Sequence, residues 1–120
     1  MRDIHERVFE FASRVVRLHD WYCRRRRGSR TLVNQLLDSG TSIGSNLEEA
    51  RAGQSRADFI AKARVALREA RESHYWLRLI EQSGHVAPQW IHPLVTEADE
   101  IVAILTTIIK KASPPRNPLS

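Results

Sequence analysis

The sequence predicts an all-α fold, an antiparallel up-down-up-down four-helix bundle. Glycine and proline number only five each among 120 residues, and they divide the chain into four long segments. Within each segment apolar residues recur at steps of three and four, as on one face of an α-helix. A strand would instead show an alternating pattern, and no segment has one. Four helices with short connections are typical of such a bundle.

Each predicted helix has a start or stop signal. The first ends before Gly28, a residue type that favours helix C-termini. Ser29 is the predicted N-cap of the second helix. Ser55 precedes the third, with Asp58 three residues later as in a capping box. The predicted bundle, residues 1–112, has helices at 3–25, 29–52, 56–83 and 89–112, and residues 113–120 are predicted to be a disordered tail.

The net charge of +5 is concentrated at one end of the chain. The first thirty residues hold nine arginines and four acidic residues, whereas the other ninety hold ten basic and ten acidic residues. A neutral body with one basic end indicates a localised anionic partner. The densest part is a run of four arginines: Arg24, Arg25, Arg26 and Arg27.

The third helix carries a second set of arginines on one face, with Tyr75 among them. Arginines with an interleaved aromatic side chain suit phosphate contacts and base stacking. The alternative is a salt-bridged solvent face, because Glu72 stands four residues after Arg68. The candidate nucleic-acid-binding residues are therefore Arg64, Arg68, Arg71 and Arg78, together with Arg24, Arg25, Arg26 and Arg27.

Polar residues on one face of the second helix have two interpretations. Ser42, Asn46 and Glu49 follow steps of four and three, so they could form a hydrogen-bonded seam that fixes helix register or a subunit contact. The alternative is a solvated face. A third interpretation places the turn of a DNA-binding helix-turn-helix at Gly40, but polar Asn46 and Glu49 stand where that motif needs apolar residues.

Signatures of metal sites and catalysis are missing from the sequence. No glutamate stands three residues before any of the five histidines, so the Glu-x-x-His pairs of di-iron bundles are absent. Cys23 is the single cysteine, which excludes an internal disulfide and fits a reducing compartment. No histidine–asparagine arrangement is visible around it, so we interpret it as an incidental thiol. We expect no enzyme activity, no cofactor and no metal.

Location and assembly also follow from apolar patterning. The charged N-terminus does not resemble a signal peptide, and the most apolar run, residues 101–109, is far shorter than the ~20 residues that cross a bilayer. We therefore expect a cytoplasmic protein without a membrane partner. Apolar residues outside the main stripes predict self-association, the alternative being a wide core face: Phe9, Val16, Val95, Val102, Ile104 and Ile109.

Three segments of the chain carry a resemblance to a known family: SGTSIGSNLEEA, QSRADFIAKARVALREARESHYWLRLI and EADEIVAILTTIIKK. In order and spacing they resemble the bacterial four-helix-bundle family of 23S rRNA intervening-sequence proteins. They cover roughly residues 30–112 and leave the basic first helix outside. The resemblance implies a cytoplasmic, antiparallel helical bundle without known catalytic activity that assembles as a homopentamer. A related branch, the accessory proteins of diversity-generating retroelements, implies nucleic acid and a reverse transcriptase as partners.

The resemblance also assigns motif positions. Relatives often carry arginine at Asp38 and glycine at Ala50, so a basic helix-two surface does not carry over to this chain. The family's motif residues, interpreted as a structural seam, fall on Ser42, Ile43, Asn46, Glu49, Asp58, Phe59 and Glu72.

Together these patterns predict a non-enzymatic, homo-oligomeric bundle that binds RNA, DNA or a nucleoprotein partner through a basic surface. The alternative is a protein-only interaction or scaffold module, in which the arginines merely increase solubility. Salt-dependent binding would separate the two, because only phosphate contacts release condensed counterions.

Overall fold

The computed structural model describes residues 3–25, 28–115 and 117–119 and contains four helices. They are α1 (Ile4–Arg25), α2 (Arg30–Ala52), α3 (Arg56–Ser83) and α4 (Pro88–Ala112). No strand occurs in these described ranges, and the predicted all-α class is confirmed. The tail is described only in part, so its predicted disorder stays a prediction.

The helices form a closed cycle in which each packs on its sequence neighbours. The α1 helix contacts α2 and α4, and α3 contacts the same two helices, so α1 and α3 lie diagonally opposite each other. The molecule is elongated, with principal extents of 54 × 29 × 28 Å. Antiparallel packing of this kind brings the α1–α2 and α3–α4 connections to the same end of the bundle.

The predicted caps set the helix ends. The Ser29 hydroxyl accepts from the Thr31 N–H, and the Ser55 hydroxyl accepts from the Asp58 N–H at 3.1 Å. Gly28 adopts φ +68°, and a Cβ there would also clash with Tyr22 and His85. The first turn of α4 has no side-chain cap and begins with Pro88. Proline suits this position because an N–H in the first turn would have no carbonyl partner within the helix.

A single apolar core runs along the axis, built from the predicted stripes of all four helices. The α4 residues outside its main stripe also join it: Ile109 is buried, and Val95 and Val102 pack against the core. The wide-core interpretation therefore fits these three residues, whereas Ile104 is half-buried and is not among the side chains packed against the core. On α1, by contrast, Phe9 is 78% exposed and Val16 40% exposed.

The α2 helix runs unbroken through Gly40, so the helix-turn-helix interpretation is wrong. Gly40 is buried, and a Cβ at this position would lie 3.1 Å from the Val15 side chain of α1. The glycine therefore permits close helix packing, and it does not form a turn. None of the described helices is both long and apolar enough to cross a membrane.

Candidate nucleic-acid interface

The arginines of α3 form an exposed ridge. All four predicted side chains are exposed, while Ala63, Ala66 and Ala70 on the opposite side of the helix are buried. At 1.5 Å per residue, the ridge extends over about 21 Å of helix. We call this surface the arginine ridge: Arg64, Arg68, Arg71 and Arg78.

Carboxylates do not neutralise the arginine ridge within the described residues. None of its four guanidinium groups joins an ion pair there, including Arg68, for which Glu72 was the expected partner. Glu81, the other acidic neighbour, instead lies 2.9 Å from His92 of α4. The salt-bridged alternative is therefore not the arrangement in this part of the chain, and the ridge presents exposed positive charge.

The carboxyl group of Glu69 lies beside the arginine ridge, and its charged form is destabilised. Burial raises the pKa of the Glu69 carboxyl, and the negative charges of Glu72 and Asp38 raise it further, while Arg68 opposes them. Glu69 is only half-buried, between α3 and α2. The acidic neighbours of Glu69 therefore outweigh the favourable charge of Arg68.

The basic end of α1 lies on the diagonal helix and is a separate surface. Arg24 and Arg25 are exposed, and the Arg25 guanidinium carbon lies 5.1 Å from the ring centroid of Trp21, a cation–π contact. Arg26 and Arg27 fall outside the described residues. The six candidate arginines that the structure describes thus belong to two surfaces, on α1 and α3, and not to one continuous patch.

In the part of the chain that the structure describes, the predicted polar seam makes no hydrogen bond between two helices. The Ser42 hydroxyl donates to the Asp38 carbonyl at 2.6 Å and the Asn46 amide donates to the Ser42 carbonyl at 2.8 Å, both within α2. Glu49 is exposed and makes no ion pair with α3 among the described residues. Asp58 and Glu72 are exposed as well, whereas Ile43 is buried and Phe59 is half-buried. Ser42 and Asn46 are also half-buried, so the face is solvated only in part, and the subunit-contact role stays a prediction.

The buried polar contact between helices is one that sequence reasoning missed. The hydroxyls of Ser39 in α2 and Ser73 in α3 lie 2.9 Å apart, and both residues are at most 2% exposed. Ser73 occupies a position on the predicted apolar stripe of the third helix. A serine at such a position could have indicated a buried polar contact. Each hydroxyl also lies within hydrogen-bond distance of a carbonyl of its own helix, Leu36 for Ser39 and Glu69 for Ser73, so the pair adds a buried polar contact between α2 and α3.

An unpredicted groove lies between α1 and α4. It encloses about 610 Å³ and contains two tryptophans, Trp21 of α1 and Trp90 of α4, the latter 67% exposed. Arg14 and Arg17 line the same cavity. We call this the α1–α4 groove; its remaining lining residues are Leu18, Val86, Gln89, Pro93 and Leu94.

The other half of the α1–α4 interface is held by ion pairs. The Arg7 guanidinium donates to both carboxylate oxygens of Glu97, at 2.6 and 3.1 Å, and to Glu100 at 2.8 Å. Burial raises the pKa of the Glu97 carboxyl, but the hydrogen bonds and charge of Arg7 outweigh burial, so the pKa lies below its ordinary value. The pKa of Arg7 is raised by the same hydrogen bonds.

Cys23 has neighbours that the sequence pattern did not reveal. His19 Nε2 lies 2.7 Å from the Asn34 side-chain oxygen and 3.7 Å from the Cys23 sulfur. In the tautomer that carries the proton on Nε2, His19 donates to the Asn34 oxygen, and that nitrogen does not then accept a proton from the Cys23 thiol.

The family model of the 23S rRNA-intervening sequence protein matches residues 2–107. The chain belongs to this family. The match includes α1, so the family extends beyond the segment from 30 to 112 on which the resemblance rested, and the basic end lies inside it.

A solved structure supports the same family assignment. The chain is similar to a protein of unknown function from the S23 ribosomal protein family of Bacteroides thetaiotaomicron, with 37% identity and a TM-score of 0.84. The alignment covers 90% of this chain and 99% of that chain. A search of curated proteins finds no match. The family match and the solved structure support the helical bundle, and neither indicates an enzymatic family.

Proposed function

We propose that the protein is a non-enzymatic homo-oligomer that binds nucleic acid through its basic surfaces. The observation that carries the proposal is the arginine ridge, whose four exposed guanidinium groups form no ion pairs within the described residues. Unpaired surface arginines without a partner would repel one another, whereas phosphates would bind them bidentately. Because the family is described by its link to 23S rRNA, RNA is the first ligand to test.

The experiment measures binding of single-stranded RNA and duplex DNA at several salt concentrations by fluorescence anisotropy. Replacing all four ridge arginines with glutamine is expected to flatten the plot of log affinity against log salt, by about 0.7–0.9 for each phosphate that the variant no longer neutralises. A second variant with glutamine at Arg24, Arg25, Arg26 and Arg27 tests the basic end in the same way.

A matched control keeps the change in net charge constant. It carries four glutamines at exposed basic positions away from the ridge: Arg51, Arg56, Lys62 and Lys111. The control is expected to retain most of the salt dependence. An equal reduction in the control and ridge variants would contradict a localised site. If the unaltered protein binds no nucleic acid at low salt, the scaffold alternative replaces the proposal.

The oligomer, a homopentamer according to the resemblance, is supported by apolar residues that the single chain leaves exposed. Phe9 is 78% exposed and Val16 40% exposed, and both lie on α1 seven residues apart. Sedimentation velocity at micromolar concentration is expected to show an assembly that Phe9→Asp weakens. A monomer for the unaltered protein would contradict this part of the proposal. A protein partner such as a reverse transcriptase stays a prediction.

A further inference from the structure

We propose that the α1–α4 groove binds an unpaired nucleotide of a single-stranded RNA, with the base against tryptophan and the phosphate beside arginine. The inference rests on the proposed function, because it names the form of nucleic acid that the protein binds and adds a site that the arginine ridge does not include. The groove holds about 610 Å³, within the range of about 300–1,000 Å³ that small-molecule sites enclose.

The charge around the groove favours a phosphate-bearing ligand. Arg14 and Arg17 line the cavity, and Arg25 lies over the Trp21 ring beside it. The opposing part of α4, residues 88–96, contains no acidic residue, and neither does the connection at residues 84–87. No residue that lines the groove is acidic, although Glu97, one turn further along α4, is close enough to Arg14 for the arginine charge to help lower the pKa of its carboxyl. The groove itself therefore presents positive charge to an anionic ligand.

The aromatic content favours a base over an aliphatic or purely ionic ligand. Trp90 exposes 67% of its surface although it is among the largest apolar side chains, and Trp21 lies on the facing helix. Bases stack on aromatic side chains regardless of sequence because every base has a π-face. A duplex hides those faces, so an unpaired nucleotide is the form that fits, and RNA exposes such nucleotides in loops and bulges.

The test compares two substitutions of the exposed Trp90. The probes are a single-stranded oligoadenylate and an RNA duplex. Each is about twelve nucleotides long, which is within the usual site size of proteins that bind single strands. Trp90→Leu keeps apolar bulk but removes the π-face, whereas Trp90→Phe keeps it. We expect Trp90→Leu to lower single-strand affinity about tenfold and Trp90→Phe to lower it less than about threefold. Duplex affinity is expected to change less than about twofold in both variants, because a duplex contacts the protein through its phosphates.

The contrary outcomes are distinct from failure of the proposed function. If the unaltered protein binds neither RNA at low salt, the proposed function fails and this inference falls with it. If the protein binds RNA and glutamines on the arginine ridge weaken binding, but both Trp90 variants bind the single strand like the unaltered protein, only the groove inference is wrong. Equal weakening in the leucine and phenylalanine variants would also overturn stacking.

A variant at a second position separates a loss of binding from a loss of folding. Arg17 is exposed at the groove, and Arg17→Glu reverses its charge without touching the core. This variant is expected to lower single-strand affinity about tenfold, because it removes a phosphate-binding charge and adds repulsion. Unchanged affinity in a folded Arg17→Glu variant, verified by circular dichroism, would contradict the groove as the binding site.

Discussion

The two halves of the α1–α4 interface carry arginines on α1 but meet different residues on α4. In one half Arg7 binds Glu97 and Glu100, and the two helices are joined by charge-assisted hydrogen bonds. In the other half Arg14 and Arg17 line an open groove whose α4 residues include no carboxylate, and of these two arginines only Arg14 is close enough to Glu97 for its charge to affect that carboxyl.

The difference separates the part of α4 that supplies carboxylates to the α1 arginines from the part that does not. The Glu97 carboxyl is kept charged by Arg7, so the ionic half contributes to folding. The open half contributes exposed tryptophan surface and positive charge, which cost stability or leave it unchanged. We therefore expect substitutions in the ionic half to affect stability and those in the open half to affect binding.

The largest expected effect is on Arg7. Arg7→Ala leaves the Glu97 carboxylate, whose side chain is only 16% exposed, without its main partner. We expect a decrease of about 2 kcal/mol in the free energy of unfolding, as for a hydrogen bond to a charged group. Chemical denaturation at neutral pH measures it. Arg17→Ala in the open half is the matched control, and an equal decrease there would remove the contrast between the halves.

The second effect is a pH dependence that belongs to the ionic half alone. Because the folded state lowers the pKa of Glu97, its contribution to stability is present above the ordinary value of 4.5 and is lost as pH falls through the folded value. Glu97→Gln and Arg7→Ala are each expected to flatten this part of the curve of unfolding free energy against pH. A curve that keeps its full acid slope in both variants would show that other carboxyls carry it.

The sequence predicted the four helices because each one has an apolar stripe and local end signals, which depend on neighbouring residues. Ser29 and Ser55 cap the helices that they were expected to cap, and the stripes form the core. Gly40 was harder to interpret, because a helix glycine can signal either a turn or close packing. Only the Val15 side chain on another helix decides between them.

The site was less predictable, since it depends on which flanking positions meet across helices. The exposed arginine ridge could be identified from spacing, but the absence of ion pairs within the described residues could not. Trp90 directly precedes the buried Ile91 and is therefore outside the core stripe, and its groove partner Trp21 is far away in the chain. Apolar periodicity specifies the buried face and does not specify the separation of α1 from α4.

The third effect tests how little the open half contributes to folding. Leucine at position 90 buries slightly less apolar surface than the tryptophan it replaces, but leucine is the better helix former. We therefore expect the free energy of unfolding to fall by about 0.5 kcal/mol or less, since two-thirds of Trp90 is already exposed. Denaturation beside the Arg7→Ala variant gives the comparison. A decrease as large as that of Arg7→Ala would mean that the groove is part of the core.

The substitution with the smallest expected effect on stability gives the open half a carboxylate, as the ionic half has. Gln89→Glu places a carboxylate in the α1–α4 groove with Arg14 and Arg17, and it also adds an acid to the first turn of α4. An exposed pair of this kind stabilises by about 0.3 kcal/mol, aided by the helix dipole. The same carboxylate competes with phosphate, so single-strand RNA affinity is expected to fall although stability rises. Thermal denaturation measures the stability and fluorescence anisotropy measures the RNA affinity of the same preparation. If stability and affinity rise together or fall together, the division of roles between the two halves is wrong.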